Sequence, residues 1–201
     1  MLELNRKTLF IGAAIIAAFL HWNGRPVAVP DGVLIKEDPD QQLIPENERK
    51  AIVLDVGIAE PQARYKIRAR VLSTNRYWFD PGAAISPIDL ALGWGPMSDS
   101  RILNELSIGQ SLRYYHVKWR NPPLPTNEIM RHSANVHMIP ANPVVRDLLF
   151  SLREGNLIEL NGSLVIVSSK NGGQWSSSLS RDDRGAGACE LMYVTSVRVL
   201  N

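Results

Sequence analysis

Cysteine and net charge are both scarce in this sequence. Cys189 is the single cysteine among 201 residues, which excludes an internal disulfide and a zinc site built on cysteine ligands. The 22 basic and 20 acidic residues are interspersed and leave a formal net charge of +2, so no basic surface typical of nucleic-acid binding is indicated. We therefore expect no nucleic-acid partner and no cofactor, and a domain that is stabilised by packing alone.

Familiar catalytic and metal-binding motifs are missing as well. The sequence contains no phosphate-binding loop, no G-x-S-x-G nucleophile turn and no C-x-x-C pair. His132 and His137 are five residues apart, which places them on opposite faces of a strand and well apart around a helix. We expect no metal site, and whether the chain is an enzyme stays open.

The longest apolar run lies near the N-terminus. No charge interrupts residues 8–22, and Arg6 and Lys7 precede them, a pattern typical of a signal anchor with its N-terminus inside. As a helix this run measures roughly 22 Å, so a bilayer core of about 30 Å would have to thin around it. A cleaved signal peptide and a buried helix of the domain are the alternatives, but His21 and Trp22 make a poor cleavage site.

Three regions follow from this reading. Residues 1–25 are expected to form a cytoplasmic tip and a single transmembrane helix in the inner membrane, with the C-terminal domain on the periplasmic side. Residues 26–50 are rich in proline and polar residues, which predicts an extended linker that lifts the domain off the membrane. Residues 51–201 form the exported globular domain.

The domain is predicted to be α+β, with short helices and a small, partly closed antiparallel β-barrel, of which an OB-like barrel is one form. Apolar residues alternate with basic ones over residues 65–71, which predicts a half-buried strand. Residues 86–93 and 143–155 carry helix start and stop signals, with Asn142 and Pro143 opening the second segment. The dipeptide Asn161-Gly162 predicts a tight turn between two strands.

One candidate for catalysis is a cysteine nucleophile. Cys189 could be activated by His137 as base, with Asp183 or Asp89 orienting the imidazole. The alternative is that Cys189, which leads directly into an apolar strand, is a small buried hydrophobic residue. An envelope hydrolase is therefore the second hypothesis for function.

A second candidate is a binding surface formed by loops. Trp94 and Met97 stand between glycines and a proline, and such a segment can line a ligand groove or can simply cover one end of the barrel. Together with the segment around His137, it supplies the candidate binding residues Asp89, Trp94, Met97, Asp99, Asn135, His137 and Arg181.

Three sequence blocks carry a resemblance to other proteins. They read SPIDLALGWGPMSD at residues 86–99, SANVHMIPAN at 133–142 and WSSSLSRDDRGAGACEL at 175–191. Taken together they resemble an uncharacterised family of bacterial membrane-anchored proteins. The resemblance implies an N-terminal anchor and an exported domain, and it implies no reaction or ligand. The first hypothesis is therefore an exported module that binds a protein partner or an envelope component.

Overall fold

The computed structural model describes residues 25–180 and 188–201. The strands are β1 Asp40–Leu43, β2 Ile52–Leu54, β3 Gly57–Arg76, β4 Ile88–Gly93, β5 Leu106–Ser111, β6 Tyr114–Trp119, β7 Ser133–Pro140, β8 Leu157–Ser169, β9 Gln174–Ser176 and β10 Glu190–Val199. The helices are α1 Ser100–Leu103, α2 Thr126–Arg131 and α3 Pro143–Ser151, and 3-10 turns occupy Glu46–Glu48 and Gly95–Ser98. None of the helices in this part of the chain is long and apolar enough to cross a membrane. The run predicted to be an anchor lies outside the described residues.

Five strands pair around a ring in the order β3, β4, β7, β10, β8 and back to β3. The β7–β10 pair is parallel, and the other four pairs are antiparallel. The long strand β3 closes the ring because its first part, up to Arg70, pairs with β8, and the part from Arg70 onward pairs with β4. Irregular register near residues 62 and 72 bends it there. The prediction of a sheet-rich, partly ring-like domain with few helices is confirmed.

The core fills the inside of this ring. The apolar residues predicted on one face of a strand, Tyr65, Ile67, Ala69 and Val71, are all buried in it. Leu149 of α3 is fully buried in the same cluster, so this helix covers part of the barrel. Fully burying one large aliphatic side chain stabilises the fold by about 1.5–3 kcal/mol, so these inward-facing rows provide the main driving force for closure.

Two local predictions were wrong. Residues 86–93 were expected to form a short helix but contain strand β4. All six residues of β4 are buried, so the segment lacks the regular polar alternation by which a half-buried strand is recognised. Asn161-Gly162 is not a turn, since β8 runs unbroken through it. A Cβ at Gly162 would lie 1.9 Å from the carbonyl oxygen of Tyr193, so glycine is required by the close approach of β10.

The predicted helix near residue 143 is present as α3. The Asn142 side chain accepts a hydrogen bond from the Val145 amide at 3.0 Å, and Pro143 occupies the first turn. Asp99 caps α1 in the same manner by accepting from the Arg101 amide. The start of α3 was readable from the sequence because capping is a local interaction.

Residues 26–50, expected to be a linker, lie against the domain. Ile35 is buried in the core, and the Val27 amide donates to the carbonyl oxygen of Glu154 at 2.7 Å. Asp38 accepts a hydrogen bond from the Trp94 indole at 2.9 Å, and β1 pairs with β3. The prolines do keep this segment out of α-helix, but its apolar side chains and backbone groups are used in packing.

The hairpin of β5 and β6 is a separate two-stranded sheet, and along the chain it lies between β4 and β7. Its apolar side chains pack on a cluster that includes Leu72, Met97 and Ile129. The hairpin therefore covers the outer side of the β4–β7 region, and the candidate site lies beneath and beside it.

Candidate functional site

Strands β4 and β7 bring three of the predicted site residues to one place. Asp89 and His137 are register partners, and Asn135 lies two residues before His137 on the same face of β7. All three side chains are buried although they point away from the ring interior, because the turn of the β5–β6 hairpin covers Asp89 and Asn135 and the Trp175 ring packs on His137. The spacing in sequence did not reveal this meeting, since it depends on the pairing of β4 with β7.

A buried ionic cluster surrounds Asp89. Its carboxylate is 0% exposed, and Oδ1 accepts hydrogen bonds from Arg113 Nη1 at 3.1 Å and from Ser86 Oγ at 3.3 Å. Arg113 also forms a bidentate pair with Asp80, with Nη2 at 2.7 Å and 2.9 Å from its two oxygens. The guanidinium lies 3.6 Å from the centre of the Tyr77 ring. One cation therefore serves two carboxylates.

His137 lies on the other side of the same carboxylate. Its Nδ1 is 2.9 Å from Asp89 Oδ1, but the two atoms are not aligned for donation. Within the described part of the chain, neither this nitrogen nor Asp89 Oδ2 has a hydrogen-bond partner. The Trp175 ring packs against the imidazole with the ring centres 4.7 Å apart. Asp89, one of the two acids predicted to orient His137, therefore lies beside it.

The turn that supplies Arg113 has a strained backbone. Leu112 and Arg113 form a two-residue hairpin loop with φ of 50° and 71°, the left-handed region that glycine or asparagine normally occupies in such turns. This conformation costs roughly 1–2 kcal/mol for a residue with a Cβ. The Arg113 carbonyl oxygen accepts from Asn135 Nδ2 at 3.0 Å, and the ion pairs of the side chain hold the turn down. Strain of this kind concentrates at functional sites.

Tyr77 shares the environment of the cluster. Burial, together with the neighbouring Asp89 carboxylate, raises the pKa of Tyr77 to about 12. The Tyr77 hydroxyl accepts a hydrogen bond from Asn75 Nδ2 at 3.0 Å. The phenol therefore stays protonated throughout the physiological range.

A groove of about 260 Å³ opens beside the cluster, between β6, the end of α2 and the starts of β7 and β10. Its lining includes Trp94, Tyr114, Tyr115, Asn135 and Cys189. Three aromatic rings and a half-buried thiol thus face one small space, with Asn135 joining the groove to the ionic cluster.

The polar groups of the groove are held in place by one another. Ser133 Oγ donates to the carbonyl oxygen of Ile129 at 2.6 Å, so the Tyr115 hydroxyl, 2.8 Å away, donates to Ser133. Burial raises the pKa of Tyr115. Asn135 accepts from Gln110 Nε2 at 2.7 Å, and its Nδ2 lies 3.8 Å from Cys189 Sγ. The groove is therefore largely apolar, and the side chains of Ser133, Tyr115 and Asn135 have fixed hydrogen-bond partners.

The remaining predicted residues have other surroundings. Met97 is fully buried in the apolar cluster under the hairpin. Asp99 caps α1 and binds Arg101 at 2.6 Å, and the hydrogen bond from Arg101 holds the pKa of Asp99 well below its usual range. Trp94 is almost fully buried and contributes to both the core and the groove. Arg181 and Asp183 lie outside the described residues.

Sequence reasoning missed Arg113 and Tyr115. Both belong to a hairpin in which two strands, Leu106–Ser111 and Tyr114–Trp119, are joined by two residues. The two-residue spacing was the available signal, but Leu-Arg is not a dipeptide that predicts a turn. Across residues 25–180 and 188–201, no group of three or more His, Cys, Asp or Glu side chains is arranged to hold a metal ion.

Comparison with known proteins yields a structural likeness and no match in sequence. No family model and no curated protein matches the chain. A solved structure of a mitochondrial single-stranded DNA-binding protein from S. cerevisiae shares 11% identity over 68% of this chain and 93% of that chain, with a TM-score of 0.23. The expectation of no nucleic-acid partner conflicts with this finding and is withdrawn. A TM-score of 0.23 carries no argument about what this chain binds.

Proposed function

We propose that the chain is a membrane-anchored, exported binding module, and that its groove takes part of a protein partner or of an envelope component. The groove itself carries this proposal. Apolar and aromatic walls with a few fixed polar groups are the usual composition of a binding site. The volume of about 260 Å³ is below the roughly 300–1,000 Å³ typical of small-molecule pockets, which favours one or two groups of a larger ligand.

The arrangement of the ring supports the same reading. We propose that it is of the OB type, in which the second and third strands of a five-stranded barrel present the ligand-binding face. In the ring of this chain those positions belong to β4 and β7. The β5–β6 hairpin covers most of their outer face and leaves the groove at its edge. The groove would then be the part of an OB ligand face that stays accessible.

The proposed location of the module at the inner membrane depends on residues 8–22. They contain no charge and follow Arg6 and Lys7, which supports an anchor with the domain on the periplasmic side. This part of the proposal is tested by fractionation: the full chain should require detergent for extraction from the inner membrane. Recovery in the soluble fraction without detergent would contradict it.

A photo-crosslinking experiment tests the groove. A benzophenone amino acid replaces Tyr114, which lines the groove, and in a control it replaces Leu112, which is 86% exposed on the same hairpin and outside the lining. We expect a defined adduct from position 114 that is absent from position 112. Alkylating Cys189 with a bulky maleimide should abolish the adduct, and Cys189→Ser should restore it under the same treatment. Equal adducts from both positions would refute the proposal.

An envelope hydrolase that uses Cys189 and His137 is the second candidate. It is favoured by the half-buried thiol in the groove and by the Asp89 carboxylate, whose Oδ1 lies 2.9 Å from His137 Nδ1. A small thiol-reactive probe separates the two functions, because an activated thiolate reacts much faster than a free thiol at neutral pH. Reaction of Cys189 no faster than in the urea-unfolded chain would rule out this candidate, and Cys189→Ser should leave binding intact.

A further inference from the structure

Two large aromatic side chains stand exposed in the loop after β3. Trp78 is 66% exposed and Phe79 is 99% exposed. Trp78 packs edge-on against Phe150 of α3 with the ring centres 6.2 Å apart. Arg76 lies over the Phe150 ring at 4.9 Å and donates to the Phe150 carbonyl oxygen. We call Trp78, Phe79 and Phe150 the aromatic tip. Single exposed apolar residues are common on protein surfaces, but two consecutive exposed aromatic side chains, one of them packed against a third ring, are not.

The chain reaches the domain close to this tip. Arg153 Nη1 donates to the carbonyl oxygen of Arg25 at 3.5 Å, and the Val27 amide donates to that of Glu154 at 2.7 Å. Arg153 follows Phe150 by three residues, at the C-terminal end of α3. The aromatic tip and the first described residues are therefore at the same end of the same helix.

Very little chain separates this end from the apolar run. Trp22 closes the run, and the three residues from Trp22 to Arg25 span at most about 10 Å when fully extended. Residues 27–43 pack along the domain and provide no spacer. With residues 8–22 in lipid, as proposed above, the Arg25 end of the domain must lie at the bilayer surface.

We infer that the aromatic tip is a membrane-docking surface that enters the headgroup region of the bilayer holding the anchor. Tryptophan favours this interface, because its ring is apolar and its indole N–H can hydrogen-bond to headgroups and water. Arg76 over the Phe150 ring, and Arg153 with Arg25 just beyond the end of the same helix, add positive charge that suits anionic headgroups. The domain would thus lie against the membrane, which fixes the direction in which the groove opens. This inference rests on the proposed anchor.

Quenching of tryptophan emission by brominated lipid tests the inference. The full chain is reconstituted in vesicles of phosphatidylcholine and phosphatidylglycerol, with and without dibrominated acyl chains, and compared with its Trp78→Phe, Trp22→Phe and Trp119→Phe variants. Bromine quenches only tryptophans at or within the bilayer. Trp119 on β6 packs with the cluster under the hairpin and is the matched control.

We expect Trp78→Phe to remove about half of the quenchable emission, Trp22→Phe to remove the other half and Trp119→Phe to remove none. Phe79→Ser should weaken the quenching of Trp78, because it removes the neighbouring apolar ring from the interface. If Trp22→Phe removes all quenching and Trp78→Phe none, the docking surface is refuted and the anchor stands. If wild-type emission is not quenched at all, the anchor fails as well. A Trp78 emission shift that depends on protein concentration, without quenching, would assign the tip to contact between copies and would also refute it.

Discussion

Replacement of Arg113 by methionine would leave the Asp89 carboxylate buried without its countercharge. Methionine preserves the length of the side chain and the same backbone demand, so the variant removes chiefly the guanidinium. Breaking a buried ion pair by removing one partner costs about 3–5 kcal/mol, and here Asp89 is fully buried while the Arg113 side chain is 17% exposed. The second pair, with the partly exposed Asp80, contributes less than about 1 kcal/mol. Because Ser86 and His137 stay beside Asp89, we expect the free energy of unfolding to fall by about 3–4 kcal/mol.

Urea unfolding followed by tryptophan emission measures this loss. Arg146→Met is the matched control, because Arg146 pairs with Asp147 on the exposed face of α3 and should cost less than about 0.5 kcal/mol. Arg113→Met combined with Asp89→Asn should recover at least half of the loss, since no charge is then buried alone. An Arg113→Met variant as stable as the Arg146→Met control would refute the reasoning, as would a double variant less stable than Arg113→Met itself.

Three further predictions concern the same region and the opposite side of the barrel. Leu112→Gly relieves the positive φ at an exposed position and should raise the free energy of unfolding by about 0.5–1 kcal/mol in the same urea assay, and a decrease would contradict the strain. The hydrogen bond from Arg68, aided by the charges of Arg198 and Lys66, lowers the pKa of Glu159 in the folded protein. Ionised Glu159 therefore stabilises the fold above its unfolded-state pKa of about 4.3, and this stabilisation is lost as the pH falls through the folded-state pKa. Glu159→Gln should therefore flatten the decline of stability in acid, and a decline as steep as that of the wild type would be the contrary result. The pKa of Tyr77 is raised to about 12 in the folded protein. The protonated phenol therefore contributes its full stabilisation below the unfolded-state pKa of about 10, and this contribution is lost as the pH rises towards 12. Unfolding measured between these pH values should be less alkali-sensitive in Tyr77→Phe, and unchanged sensitivity would contradict the assignment.

Part of the fold was predictable because its signals are local. The strand at Tyr65–Val71 shows an alternating pattern, since one face is buried and the other carries basic side chains. The start of α3 was readable because Asn142 caps a neighbouring amide. Strand β4 was not, because its side chains are covered on both faces, so apolar residues occur on both and leave no regular polar alternation. Gly162 indicated a turn, but a glycine is needed there because strand β10 lies too close to leave room for a Cβ.

The candidate site shows the same division. Asp89, Asn135 and His137 were picked out as residue types suited to binding, and β4–β7 pairing brings them together. Arg113, which neutralises Asp89, was not picked out, because its partner is 24 positions away and its turn lacks glycine. Met97 and Asp99 stand in a loop of suggestive composition, yet one fills an apolar cluster and the other caps a helix. The residue types indicate which interactions are chemically possible, and the fold determines which of these interactions form.

Properties that depend on near neighbours along the chain could be read without a structure: an apolar run near the N-terminus, an amphipathic strand, helix caps and a single thiol. Which groups meet in space followed from the folded chain. The long strand β3 pairs with two partners, the β5–β6 hairpin covers β4 and β7, and the proline-rich segment packs instead of extending away. The physical reason is that burial and ion pairing depend on distance in space, whereas periodicity and capping depend on distance along the chain.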